Sequence, residues 1–390
     1  LVGSEMCIRD SAIRILTLAF GGTQEGVKDW ITNKVKAADT RVMRDGPSPT
    51  TIATLVRVPM GHYFGGRSVP TIGVAGVGVA PEHRGKGIAK DLMIEALREM
   101  HKEGAALSSL YPATTTLYRR VGYEQVGCHF EHSYPASRIA PKRSQLTVTP
   151  STDNDIPAIK DCYRRFATHC DSALDRNDYI WERVFSPRIG MANGFVIREG
   201  TQITAYIFLR QERDPIHGRH TLHISDWIAT TPAAAERIVS FVGEFGSMAE
   251  EVYFGAGSAH PLFALIEEPR YLKLRFKDYW MMRLVDIAKA MTLRGYAPGL
   301  TADLHLDITD DILPENSGRW VVRVRNTETT CERGGNGDIR ASARGLAALY
   351  VGMLPPHLLA TQGLISGAPQ PLRIAGGVFA SSSTGYCDFF

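Results

Sequence analysis

The chain has 390 residues, of which 44% are hydrophobic and 22% charged, with a formal net charge of +3. That length exceeds one ordinary core and predicts two or three domains, while the near-balance of charge gives no ground for a nucleic-acid or anionic-membrane partner. No apolar run reaches the ~20 residues of a membrane span, and six cysteines without a CxxC pair or metal-ligand spacing argue against a disulfide framework or a metal site, so a reducing cytoplasm is the expected home.

The opening LVGSEMCIRD lacks an initiator Met and the layout of a signal peptide. It resembles translated adapter read-through. Residues 1–10 are therefore read as non-native, and a first strand of the opening domain is expected to be lost with them. From Ser11 to about Ala38 the pattern is helical, followed by a turn at Asp45 to Pro49, a strand TIATLVRV and a glycine-rich break GHYFGGRS.

The next stretch, TIGVAGVGVAPEHRGKGIAKDLMIEALREMHKEGAALSSLYP, is the most informative in the chain. Small residues alternate with Val77 and Val79 in a short buried strand that breaks at Pro81. From Gly87 onward Ile88, Leu92, Ala96, Leu97 and Met100 recur at helical spacing, and AALSSLY follows as a second strand. Strand, glycine-bearing turn, amphipathic helix and strand form a crossover unit, and ligands bind such units where the strand ends and the helix begins.

Boundaries are expected at the Pro- and Ser-rich PASRIAPKRS and near YWMMRLVDIAKAMTLRGYAPG, which divides the chain into 1–143, 144–285 and 286–390. The middle part repeats the helix-and-sheet order without a second glycine-bearing turn. The last part alternates in LTADLHLDITDD and GRWVVRVRNTETTCERG before turning helical, an α+β pattern.

At the turn PEHRGKGIA, the residues Arg84, Gly85, Lys86, Gly87, Ile88 and Ala89 open the helix. Glycines let successive backbone N–H groups converge, and the helix N-terminus adds partial positive charge, which together suit a pyrophosphate. A nucleotide site and a purely structural turn are the competing readings. The spacing R-x-x-G-x-A directly after V-x-V-x-P resembles the pyrophosphate-binding segment of the GNAT acetyltransferases. The resemblance implies acetyl-CoA as cosubstrate, held by the backbone around Val77 and Val79 with its diphosphate on Arg84 to Ala89, and no metal.

Downstream, PATTTLYRRVGYEQVG carries the L-Y-x-x-x-G-Y pattern of the same superfamily, which implies Tyr118 as the general acid that protonates the CoA thiolate. The plain alternative is a core tyrosine with a satisfied hydroxyl. The whole chain from about Ser11 resembles the Eis (enhanced intracellular survival) type of N-acetyltransferase, on VAPEHRGKG, LYRRVGYE, RGYAPG, the ALYVG helix and an aromatic carboxyl terminus.

That resemblance implies a mixed α/β, or α+β, fold: a GNAT domain, a degenerate GNAT-like domain and a sterol carrier protein-like domain. It also implies transfer of acetyl to a primary amine (an aminoglycoside, a polyamine or a lysine-like group) by direct attack in a ternary complex, in a homo-oligomer, a hexamer. The base would be the α-carboxylate of Phe390. Gly21 and Gly22, Tyr111-Pro112-Ala113 and Phe389 depart from the family pattern, and the loss of acidic residues weighs against polycationic acceptors. Trp30, His62 and Trp181 are candidate acceptor-pocket residues. A lipid or acyl-CoA carrier is the competing class of function.

Overall fold

The computed structural model of the protein describes residues 5–46, 50–187, 190–326, 328–381 and 388–390. Cys387, one of the six cysteines, lies outside the described residues. The helical opening forms as expected: Glu5–Phe20 (α1) begins inside the segment read as non-native, and Gln24–Asp29 (α2), capped by the Thr23 hydroxyl, runs into a π turn at Trp30–Lys34.

Thr40–Arg44 (β1), Thr51–Phe64 (β2) and Arg67–Val79 (β3) follow as an antiparallel ladder. The glycine-rich break is shorter than read from the sequence. β2 continues through Gly61 to Phe64, and only Gly65–Gly66 turn, with φ of 54° and 80°. Ile88–Lys102 (α3) buries Leu92, Met93, Ala96, Leu97 and Met100, returning the chain to Leu107–Leu110 (β4), parallel to β3. Thr115–Arg119 (α4) and Glu124–Pro135 (β5) complete this part.

The middle part holds Val148–Pro150 (β6), Ile156–Ala167 (α5), Leu174–Asp175 (β7), Asp178–Phe185 (α6), Asn193–Glu199 (β8), Gln202–Arg213 (β9), His220–Ala229 (β10), Pro232–Gly243 (α7), Ala249–Ala256 (β11) and Lys273–Leu284 (β12). The last part holds Ile287–Leu293 (α8), Thr301–Thr309 (β13), Gly318–Arg325 (β14), Glu328–Arg333 (β15), Ile339–Ser342 (β16), Ala343–Val351 (α9), Pro356–Thr361 (α10), Ile365–Gly367 (β17) and Pro369–Val378 (α11). Its five strands form a separate sheet, β15-β14-β13-β16-β17.

The larger sheet runs β1-β2-β3-β4-β12-β5-β11-β10-β9-β8-β6, with β7 paired to β2. Read inward from both sides, β2, β3, β4 and β12 mirror β9, β10, β11 and β5. Each side contains one parallel pair, β3 with β4 and β10 with β11, spanned by an amphipathic helix.

The larger sheet runs across the boundary read at 143, because each half lends its last strand to the other. β12 lies between β4 and β5, and β5 lies between β11 and β12. The exchange is held by burial: Trp280, Met281, Met282 and Leu284 of β12 are enclosed in the core shared with the first half.

The third part is joined to the others through two buried arginines. Arg283 on β12 pairs with Asp310 and donates to the Val121 carbonyl at 2.5 Å. Arg294 donates to the Tyr350 carbonyl at 2.5 Å and lies over the rings of Phe64, Tyr296, Tyr350 and Phe379.

Candidate active site

Pairing of β3 with β4 runs from Thr71↔Leu107 to Val74↔Leu110 and stops. β3 continues to Val79 against β2 alone, with an extra residue bulged between Ala75 and Gly78. The backbone around Val77 and Val79 therefore borders a wedge on its β4 side where no strand takes its hydrogen bonds.

At the end of β3 a short 3-10 turn, Pro81–His83, leads into Arg84, Gly85, Lys86 and Gly87, all of them exposed. Gly85 and Gly87 have φ of 77° and 82°, and a Cβ at either position would meet nothing within 4 Å. The N–H groups of Gly85 to Ala89 find no acceptor among the described residues, as befits the first turn of a helix. Open space, free donors and the positive end of α3 fit a diphosphate group. Arg84 donates to the Val79 carbonyl at 3.4 Å, and Ile88 packs on the core below.

Tyr118, on α4, shares a core cluster with Val74 and Leu110, the last paired residues of β3 and β4. It is 5% exposed and set edge-on to Tyr123. Its hydroxyl has no hydrogen-bond partner among the described residues, unlike that of Tyr123, which meets Ser108 Oγ at 2.6 Å. Burial pushes the Tyr118 phenol above its ordinary range, so the group stays protonated.

Phe390 reaches the other face of the same strand. It is 5% exposed and packs against Gly73 and Met60. Since adjacent strand residues point to opposite faces, Gly73 and Val74 put Phe390 and Tyr118 on the two sides of β3 beside the mouth of the wedge. Tyr111, directly after β4, clamps the tail. Its hydroxyl donates to the Asp388 carbonyl at 2.7 Å, and its ring lies 4.4 Å from that of Phe389 and 5.7 Å from that of Phe390.

Trp30 approaches this face. Its ring lies over Gly76, and its Nε1 donates to the Tyr179 hydroxyl at 3.0 Å. Arg183 donates to the same hydroxyl and stands 5.8 Å from the Phe389 ring.

The other two aromatic candidates are core residues. His62 is fully enclosed, with Nδ1 donating to the Ser172 carbonyl at 2.8 Å and Nε2 3.0 Å from Ser109 Oγ. Trp181 packs on Tyr163 and Phe185. Tyr179 and Arg183 carry no signal in the sequence, where an isolated Tyr or Arg has no telling spacing, and Tyr111 stands out there only as a departure from the family pattern.

The second half of the sheet repeats the bulge but not the turn. On β10, Ser225 is the extra residue, between Ile224↔Leu209 and Asp226↔Phe208. The strand then ends in Thr230-Thr231-Pro232, where the Thr231 hydroxyl itself accepts from Ala234 N at 3.2 Å and donates to Glu199. A side chain and a carboxylate occupy the place an anion would need.

The chain is similar to known acetyltransferases in sequence and in fold. Family models described as acetyltransferase (GNAT) domains match residues 9–126 and 172–284, and a sterol carrier protein domain matches 287–388. A GCN5-related N-acetyltransferase from Anabaena variabilis superposes with a TM-score of 0.92 at 30% identity, covering 98% of this chain and 97% of that one. An uncharacterised N-acetyltransferase of Streptomyces avermitilis is 26% identical over 347 residues, 82% of this chain and 81% of the relative. N-acetyltransferase Eis of Mycobacterium tuberculosis is 22% identical over 361 residues, 87% of this chain and 86% of the relative. Among the described residues no helix is long and apolar enough to cross a membrane.

Proposed function

Because the chain belongs to the Eis-type GNAT acetyltransferases, with two GNAT domains and a sterol carrier protein domain, we propose that it transfers acetyl from acetyl-CoA to a primary amine in a ternary complex. The observation that carries this reading is the meeting of three features at one place. They are the bulged strand end with its open glycine turn, the unpartnered hydroxyl of Tyr118, and the carboxyl-terminal tail on the opposite face of the same strand.

Acetyl-CoA supplies the activated thioester. Gly85 to Ala89 and the rim charges of Arg84 and Lys86 hold its diphosphate, and the backbone beside Val77 and Val79 orients the rest and polarises the thioester carbonyl. Tyr118 keeps its proton at neutral pH and is available to give it to the departing thiolate.

With Phe390 as the last residue, its α-carboxylate receives the ammonium proton, directly or through a water. An ordinary carboxyl near 3.5 facing an alkylammonium near 10 is a steep mismatch, which enclosure of the carboxylate and desolvation of the amine both reduce.

The acceptor side is lined by Trp30, Tyr179, Tyr111 and Phe389, an aromatic surface with the Arg183 cation at its edge. This favours acceptors with a single ammonium over polycations. The carrier reading is not favoured, since relatives named as N-acetyltransferases span most of the chain.

Free-thiol release from acetyl-CoA with aminoglycosides, polyamines and lysine peptides tests the acceptor class, and no release with any amine would sink the enzyme reading. Adding one residue after Phe390 tests the base. Turnover is expected to be lost while acetyl-CoA still binds, and full activity would exclude the carboxylate.

A further inference from the structure

We propose that Arg176 is a positioning residue that seats the end of the chain through Asp388, so that the second half of the sheet serves as the socket for the tail that works on the first half. The proposal rests on the tail's part in the reaction described above. Arg176 lies just after β7, with a side chain only 2% exposed. It meets Asp388 side-on, with Nε 3.0 Å from Oδ2 and Nη2 2.9 Å from Oδ1. Its remaining nitrogen, Nη1, donates to Asp226 at 2.5 Å.

The socket is built without the tail. Tyr206 donates to Asp226 at 2.7 Å, and the guanidinium lies 3.7 Å over the Tyr163 ring and 4.8 Å over that of Trp181. Arg176 and Asp226 are already a neutral pair, so Asp388 enters as a third charge. Withdrawing it leaves no uncompensated cation behind, which makes this an attachment for a separate segment rather than a keystone of the core. Side-on, two-point pairing also fixes direction, which a single contact does not. Two residues beyond Asp388, that direction decides where Phe390 falls against Gly73.

The location explains why the second half keeps a GNAT outline without a ligand turn. Asp226 directly follows the bulge of β10, the place that corresponds to the bulge of β3 in the first half. Where one half presents backbone to a cosubstrate, the other presents a carboxylate to an arginine.

The test is Asp388→Ala, which alters the tail and leaves the Arg176–Asp226 pair intact. Carboxypeptidase Y is expected to remove Phe390 and Phe389 from this variant roughly tenfold faster or more than from the unaltered protein. Its kcat is expected to fall by a similar factor, at unchanged KM for acetyl-CoA, and Asp388→Glu should restore part of the protection. Equal protection of the two tails overturns the latch. A released tail with unchanged kcat leaves the latch standing and removes the tail from the chemistry. Arg176→Lys, which keeps the charge but loses the two-point geometry, is expected to release the tail as well, and a tail held as firmly as in the unaltered protein counts against the proposal.

Discussion

Gly73 and Phe390 lie so close that a Cβ on Gly73 would stand 2.7 Å from Cε2 of the Phe390 ring. The absence of a side chain in the middle of a strand thus makes room for the last residue of the chain. Gly73→Ala is expected to push the ring away, because the same Cβ also meets Met60 Cε at 2.9 Å, which crowds the site further. Misplacing a catalytic group by about 1 Å costs on the order of 100-fold in rate. The variant should fold, bind acetyl-CoA normally and show a kcat lowered by at least roughly tenfold. A kcat equal to that of the unaltered protein in steady-state assays would show that the ring's seat is irrelevant to turnover.

Tyr118→Phe removes one oxygen from a side chain whose hydroxyl makes no hydrogen bond among the described residues. Fold stability should therefore change little, as followed by thermal unfolding. The rate is expected to drop on the order of 100-fold with acetyl-CoA affinity unchanged, as for loss of a general acid. An unchanged rate would return Tyr118 to the status of a core aromatic.

Gly87 begins α3 at φ 82°, a conformation that costs a residue with a Cβ about 1–2 kcal/mol. The added methyl in Gly87→Ala would meet nothing within 4 Å, so any effect comes from the backbone and not from a clash. The KM for acetyl-CoA is expected to rise roughly tenfold with KM for the acceptor unmoved. A rise in the acceptor term alone would place the diphosphate elsewhere.

Stability should fall in mild acid. Burial pushes His62 from its ordinary 6.5 down to about 4, and His260 down to about 3. Between the ordinary and folded values the unfolded chain binds a proton that the native protein does not, so the native state loses ground as pH falls below about 6.5. For His62 the full loss is about 3 kcal/mol and is complete near pH 4. Urea midpoints measured from pH 7 to 4 should decline, and less steeply in His62→Gln. A flat profile would mean that the ring is protonated in the native protein.

Local features were legible in the sequence because they depend on neighbours in the chain. The turn from Arg84 to Ala89 is set by glycines that permit positive φ and by the helix that follows. Tyr118 was marked by its spacing to Gly122 and Tyr123, and the three-part composition by the restart of strand and helix patterns. The core stripe of α3 needed only helical periodicity.

What tertiary structure alone decided are relations between distant segments. The exchange of β5 and β12 leaves no trace in periodicity, since a buried strand reads the same whichever neighbours it pairs with. Gly73 reads as one more small residue in a strand until Phe390, 317 positions later, is packed on it. Arg176 is one charge among many in the sequence until Asp226 and Asp388 converge on it in an almost fully buried place. Charge and size at each position were fixed by the sequence. Desolvation and close approach, which give those groups their chemistry, exist only once the chain is folded.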